Sequence, residues 1–536
     1  MSEAVATLPA PAQPAYVAPV PAVNPWLIAV VVTLATFMEV LDTSIANVSL
    51  PHIAGGLSAG VDESTWVLTS YLVSNAIVLP MSGWFSALIG RKRFYMTCVA
   101  VFTASSFLCG LAPNLGMLIF FRVLQGIGGG GLQPSEQSIL ADTFTPAKRG
   151  MAFAIYGMAV VVAPAIGPTL GGFITDNYSW RWIFYINIPV GIISLLLTQR
   201  LITDPPHLRG HRTGIKIDYI GLGLLALGLG SLQLVLDKGQ RLDWLSSRFI
   251  LFFSATATVA LIVVIFWEWN NAHPIIDLKL FRDRSFAIAN AMMFMVGFVL
   301  LGSTLLIPLF TQTLLGYPAT QAGLALMPGG LLIICCMPLV GFLLQKYDPR
   351  KLMIFGLCIL SFAMFHMVTN FDLNIDFRTA AIARMIQGAG LAFLFVPINT
   401  VAYAYLPRDK NNAASGLINL ARNVGASVGI SVVTTNLERR GQFHRERLGS
   451  HLDASSPAVQ SMLRGTTATL RAHGSSATQA THQAYAMLQG NLVRQASMLA
   501  YIDNFWMLGV AILLLIPLVF FIKKPQHGRG GGAPAH

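Results

Sequence analysis

The sequence predicts an all-α polytopic membrane protein with fourteen transmembrane helices, arranged as two pseudo-repeated six-helix bundles plus two inserted helices. Three observations predict this. Of 536 residues, 54% are apolar and only 11% charged, where soluble domains carry roughly 25% charged residues. The apolar residues gather into fourteen long runs, and a run of ~20 is what carries a helix across a bilayer. Two segments, moreover, recur later in the chain at nearly one interval.

In order, the runs are 26–47, 66–88, 94–112, 115–141, 150–174, 182–199, 217–236, 249–267, 286–314, 321–343, 352–369, 379–405, 411–435 and 505–522. Several contain Gly and Pro, which membrane helices tolerate because neighbouring helices satisfy the freed backbone groups. A membrane barrel would instead need alternating strands of ~10 residues. The leading stretch 1–25 is rich in Pro and Ala and has no Lys or Arg. It therefore lacks the basic start of a cleavable signal peptide and reads as a disordered cytoplasmic tail before an uncleaved anchor. The expected units are a first bundle at 26–200, an inserted helix pair at 217–267, a second bundle at 286–522 and a cytoplasmic tail at 523–536.

Orientation follows from the Lys/Arg bias of short loops. One set of loops, with the C-terminal tail, holds 20 Lys and Arg, beginning at Arg91, Lys92 and Arg93; the short loops opposite hold 5. The excess places both termini in the cytoplasm. One connection is long: residues 436–504 lie on the outer side between the last two spans. Long loops translocate regardless of charge, so its seven Arg residues leave the orientation unchanged. Stretches such as TQATHQAYAMLQGNLVRQASMLAYI suit an amphipathic helix, and the segment reads either as a spacer or as a docking surface for an extracytoplasmic partner.

The repeat lies in two places. RVLQG, from Arg122, returns as RMIQG with Arg384, Gln387 and Gly388, 262 positions on. The loop from Gly83, GWFSALIGRK, has a weaker counterpart from Gly341, 258 positions on. Parallel repeats about an axis normal to the membrane are a secondary-transporter architecture.

Ionisable groups inside a span cost at least about 2.5–3.5 kcal/mol and mark function by default. The sequence places six there: Glu39 and Asp42 in span 1, Arg122 and Glu136 in span 4, Arg384 in span 12 and Arg422 in span 13. Span 1 runs outward and span 4 inward, and at ~1.5 Å per residue Asp42 and Arg122 reach the same depth. They meet if the two spans are neighbours. Glu39 shares a face with Asp42 one turn deeper. Glu136 lies ~21 Å along the helix from Arg122 and is too far to be its partner. A proton-coupled carrier needs a carboxylate whose proton affinity changes as it moves between wet and dry, or paired and unpaired, surroundings. Such an acid facing a cavity also suits a cationic substrate. Asn47, Gln125, Gln133, Asn419 and Arg422 are polar in-span candidates for a substrate cavity, with helix–helix hydrogen bonding as the competing reading.

Several segments together resemble the fourteen-span drug:proton antiporters of the major facilitator superfamily. LDTSIANVSLP around Asp42 is similar to that family's first-span signature, and RVLQGIGGGG from Arg122 to the superfamily's fourth-span motif. GMAVVVAPAIGPTLGG, with Gly157, Pro164, Gly167, Pro168, Gly171 and Gly172, resembles the fifth-span motif associated with antiport. Gly permits close helix approach and Pro bends a span at an interface that opens and closes. Gly83, Gly90, Arg91 and Lys92 fit the cytoplasmic gating loop, although Ala87 stands where that loop usually carries an acid.

The resemblance implies the major facilitator fold and proton-driven multidrug efflux by alternating access, with Asp42 and Arg122 in proton coupling. It also implies small-molecule drugs and protons as the transported species, and a bacterial inner-membrane location. The long 436–504 loop, LDKGQRLDW and the Gly-rich tail look like the members that work with a periplasmic adaptor of the EmrA type and an outer-membrane channel of the TolC type. The family pattern does not require Glu39 or Glu136, so their proposed part in proton coupling rests on burial.

Other classes fit less well. No GxxxxGK[ST] occurs, which disfavours an ATPase, and the GIGGGG run lies in an apolar span where small residues serve packing. No His/Cys/Asp/Glu set has metal-ligand spacing, His366 stands alone, and neither a cofactor nor an enzyme activity is expected. The five cysteines lie within apolar runs and read as packing residues. A channel is disfavoured by the repeat. A proton-coupled exporter of one endogenous metabolite or siderophore-like compound is the runner-up. The net charge of +12, which invites a nucleic-acid reading, collects on the cytoplasmic loops and is a topology signal; no nucleic-acid partner is expected.

Overall fold

Asn24 opens the first helix by accepting a hydrogen bond from the Trp26 N–H, with Pro25 in the first helical position, where its missing N–H costs nothing. The same device starts other spans. Asn114, Asp283, Asp348 and Asp376 each accept from a backbone N–H two or three residues ahead. In this computed structural model, residues 24–204, 218–271, 274–452 and 455–523 are described. Most of the two terminal tails, and Arg209, Arg212 and Lys216 of one basic loop, lie outside those residues.

Fourteen helices among the described residues are long and apolar enough to cross a membrane. They are span 1 (Pro25–Val48), 2 (Asp62–Ile89), 3 (Arg91–Leu111), 4 (Leu115–Thr143), 5 (Pro146–Asn177), 6 (Trp182–Leu201), 7 (Tyr219–Lys238), 8 (Arg248–Asn270), 9 (Arg284–Thr313), 10 (Gln321–Leu343), 11 (Pro349–Asn370), 12 (Phe377–Ala402), 13 (Asn411–Gly449) and 14 (Ala477–Val519). The protein is a multi-pass, all-α membrane protein. Large apolar side chains left exposed, such as Phe252, Phe266, Phe362 and Phe521, are what a lipid-facing surface requires.

The packing repeats. In the first half span 1 packs on 5, span 2 on 4, and span 3 on 4 and 6; in the second, span 9 packs on 13, 10 on 12, and 11 on 12 and 14. The halves meet through span 5 on span 10 and span 2 on span 13, two contacts that the repeat exchanges with each other. Spans 7 and 8 pair together at the periphery, with span 7 against spans 2 and 13. Gln233 of span 7 accepts from Ser427 of span 13 at 3.0 Å.

The stretch 436–504 is largely helical. Span 13 continues unbroken to Gly449, Pro457–Ala472 is a separate helix, and the helix of span 14 begins at Ala477. The two long helices are tied to each other by Asp503, which accepts from Arg440 Nε at 2.5 Å and lies 2.7 Å from His444 Nε2. The backbone of this polar stretch is satisfied within the helices, so apolar periodicity alone underestimates their length. The cysteines also divide: Cys98 and Cys109 pack inside, whereas Cys335 and Cys358 are exposed on apolar faces.

Candidate functional site

Span 4 brings Arg122 into the interior of the first bundle, where it is fully buried. Gly126, one turn on, makes this possible: a Cβ there would lie 2.5 Å from the Tyr71 carbonyl oxygen, so spans 2 and 4 approach backbone to backbone. Arg122 Nη1 donates to Asp42 Oδ2 at 2.6 Å and to Gln125 Oε1 at 2.7 Å, and Nε donates to the Val67 carbonyl at 3.1 Å. Asp42, 2% exposed, receives two more donors on Oδ1, Gln125 Nε2 at 3.0 Å and Asn187 Nδ2 at 2.7 Å. The guanidinium also lies 4.4 Å from the centre of the Tyr71 ring. Three donors fix the carboxylate, and its charge is matched by one cation in a dry environment. Removing a partner from such a pair costs about 3–5 kcal/mol, because the other charge is left uncompensated.

Below this pair lie two further acids. Glu39 Oε1 accepts from Asn75 Nδ2 at 3.1 Å and Tyr71 Oη at 3.4 Å. Glu136 Oε1 accepts from Tyr95 Oη at 3.3 Å, well away from Arg122. Each has its second oxygen buried without a hydrogen-bond partner. Three carboxylates thus descend through one bundle, each next to a tyrosine or an amide, and two retain an unused oxygen.

The end of the bundles that carries the basic loops is closed. Gly90 ends span 2 with φ of +91°, a left-handed conformation natural only to glycine, and the turn aims Arg91 inward. Arg91 Nη1 donates to Asp142 Oδ2 at 2.6 Å, and Asn411 of span 13 donates to the other oxygen of Asp142 at 2.7 Å. Asp142 thereby links the loop after span 2 to span 13 of the second bundle. Lys92 donates to the Gln199 carbonyl at 2.6 Å. Gly83 lies where a Cβ would come within 2.9 Å of the Ala413 backbone. Ser138 and Ser415 share a bond of 2.7 Å, and Asn419 and Tyr403 both donate to Gln137 Oε1, at 2.9 and 3.1 Å. Arg422 of span 13 donates to Gln133 of span 4 and keeps one buried nitrogen unpartnered.

Asp142→Ala is expected to loosen this closed end. A cysteine at Ala413, in a background without the native cysteines, should react with a water-soluble thiol reagent about tenfold faster, since a buried Arg91 loses its counter-charge. Equal labelling rates would remove Asp142 from the closure.

The polar in-span candidates separate. Gln125 belongs to the Asp42 cluster, while Gln133, Asn419 and Arg422 form the seam between bundles. Asn47 is exposed and apart from both. In the fifth span, Gly157 packs on Met337 and Phe395 of the second half; Gly167 and Gly171 pack on Ser44 and Ile45 of span 1, and Gly172 faces open space. Pro164 leaves its carbonyl to accept from Ser44 Oγ at 3.3 Å, and Pro168 lies near Gly323 of span 10. One helix thereby carries small residues against both the first bundle and the second. Asn187, Tyr71, Asn75, Gln137 and Asp142 were not expected from the sequence. Their only sequence signal is a polar residue within or beside an apolar run, which many packing residues share.

In the second half Arg384 is buried and donates to Gln387 Oε1 at 2.6 Å, repeating the Arg122–Gln125 bond. Gly388 packs on the Gly329 carbonyl of span 10, as Gly126 packs on span 2.

A two-bundle fold with a buried ion pair between the first and fourth spans defines the class, and the sequence pattern described as Major Facilitator Superfamily matches residues 32–430. The chain belongs to that superfamily and is a transporter, not an enzyme. Within it the chain is EmrB-like. It is 37% identical to the multidrug export protein EmrB of Escherichia coli (strain K12) over 513 residues, covering 95% of this chain and 98% of that protein. It is 39% identical to the fatty acid resistance protein FarB of Neisseria gonorrhoeae, covering 93% and 96%. Among solved structures, the proton:xylose symporter XylE superposes with a TM-score of 0.60 at 15% identity, covering 93% of this chain and 96% of that one; this likeness concerns the fold.

Proposed function

We propose that this protein is a proton-driven multidrug efflux pump that works by alternating access in a bacterial inner membrane, with both termini in the cytoplasm. It takes lipophilic or cationic toxic compounds from the cytoplasm or the inner leaflet. The observation that carries this reading is the buried Asp42–Arg122 pair, held by Gln125 and Asn187. Protonation of Asp42 neutralises the acid and releases Arg122, so proton entry converts into rearrangement of spans 1 and 4. Span 5 transmits that change, because its glycines contact span 1 and the second bundle. The closed end bearing Arg91 and Asp142 is then the cytoplasmic gate, in keeping with the Lys/Arg bias of the loops. Multidrug and fatty acid resistance proteins among the relatives support export of lipophilic compounds. The paired helices beyond the membrane, joined through Asp503, are the surface for an EmrA-like periplasmic adaptor leading to a TolC-like channel.

The test is a resistance panel in a pump-deleted strain, with and without the adaptor, together with drug-induced proton movement in proteoliposomes. Unchanged toxicity for every lipophilic drug would overturn the multidrug reading. Glu39 has a distinct expected role, attraction of cationic drugs, since it offers a buried oxygen without a partner. Glu39→Gln should lower export of ethidium about tenfold, the size of a lost charge-assisted hydrogen bond, and leave a neutral drug within about twofold. Equal loss for both compounds would assign Glu39 to proton coupling instead.

A further inference from the structure

The internal repeat lets the second bundle be compared with the first, residue by residue. Arg384 and Gln387 stand 262 positions after Arg122 and Gln125 and make the same bond. At that interval the position of Asp42 is taken by Thr304. Arg384 Nη2 donates to Thr304 Oγ1 at 2.9 Å, and Gln387 Nε2 donates to Ser303 Oγ. The donors that hold a carboxylate in the first bundle thus hold two hydroxyls in the second. No Asp or Glu occurs in 285–347, 349–371 or 377–408, so spans 9 to 12 contain no acid. Arg384 is 5% exposed, a buried cation with neutral partners, and such a charge is costly until an anion meets it. Thr304 is half-buried. Arg384 also lies against Gly329, whose neighbour Gly330 packs on Ala165 of the first bundle. The cation therefore sits beside the seam that opens in alternating access.

We propose that Arg384, with Gln387, Ser303 and Thr304, is a receptor for the carboxylate of a lipophilic organic acid. The ligand enters between the bundles and occupies the place that Asp42 fills in the first half. The guanidinium and the Gln387 amide donate to the carboxylate, and the Thr304 hydroxyl turns from acceptor into donor, while Ser303 keeps its own bond to the Val299 carbonyl. The inference rests on the efflux reading and adds one substrate class to it.

The experiment uses the full chain in proteoliposomes under a proton gradient and measures export of radiolabelled dodecanoate and of ethidium. Wild type should export both. Arg384→Gln should lower dodecanoate export about tenfold or more and leave ethidium within about twofold. Thr304→Asp supplies the missing carboxylate from the protein, as Asp42 does for Arg122, and should have the same selective effect while keeping the buried charge paired. Dodecanoate export near the wild-type rate in either variant overturns the receptor, as does an equal loss of both compounds. Wild type that exports ethidium but not dodecanoate overturns the receptor alone; wild type that exports neither overturns the efflux reading with it.

Discussion

Asp42→Asn is expected to abolish drug-driven proton release and drug resistance, with the protein still inserted in the membrane. Asn keeps the shape of the side chain and can accept from Asn187 or Gln125, but it carries no charge and binds no proton. Arg122, fully buried, then has no counter-ion within its cluster. Breaking such a pair is worth about 3–5 kcal/mol, and at about 1.4 kcal/mol per tenfold the balance between conformations shifts by about a hundredfold to a few thousandfold. Drug-stimulated proton flux in proteoliposomes is the measurement. Export at the wild-type rate against a drug gradient would remove Asp42 from proton coupling. Comparison with Glu39→Gln separates the two acids, because the Asp42 variant should lose neutral and cationic drugs alike.

Gly425→Val is expected to have the largest effect on stability. Spans 9 and 13 cross so closely that a Cβ at Gly425 would lie 2.0 Å from the Phe294 carbonyl oxygen, and one at Gly297 would lie 2.1 Å from that of Arg422. The obstructing atoms are backbone, so no rotamer change relieves the clash and the helices must separate along their length. Overpacking commonly costs about 1–3 kcal/mol and more where the backbone must shift. A clear fall in thermal unfolding temperature in detergent, with loss of a monodisperse chromatographic peak, is the expected readout. Gly172→Ala is the control, because nothing lies within 4 Å of the Cβ position; its unfolding temperature should match wild type. Equal unfolding temperatures for wild type and Gly425→Val would show that the crossing tolerates bulk.

Much of the fold was legible in the sequence for one reason: a bilayer leaves few solutions for a long apolar run. Every one of the fourteen runs corresponds to a helix, and the RVLQG and RMIQG repeats lie on spans 4 and 12, which occupy matching places in the two bundles. The Asp42–Arg122 contact was also legible, because depth in a membrane is set by residue count from the surface. The helical extent of 436–504 was less legible, since its helices are largely polar and carry no long apolar run to mark them. Asn187 shows the other limit. Its sequence neighbourhood is an ordinary apolar span, and only the packing of span 6 beside spans 1 and 3 carries its amide to Asp42. Asp142 counts as one more loop acid in the sequence, yet folding places it between Arg91 and Asn411.

The sequence by itself determined the span number, the charge asymmetry of the loops, the repeat and the set of six charges within the membrane. All of these are one-dimensional consequences of the cost of placing polar groups in hydrocarbon. Which of those charges meet, which are left without a counter-ion, and which end is closed were decided by tertiary structure. Pairing depends on two helices facing each other at equal depth, and one turn or about 100° of rotation in either changes the partner. Arg122 and Arg384 occupy equivalent positions, yet the facing residue at the same depth is Asp42 in one half and Thr304 in the other.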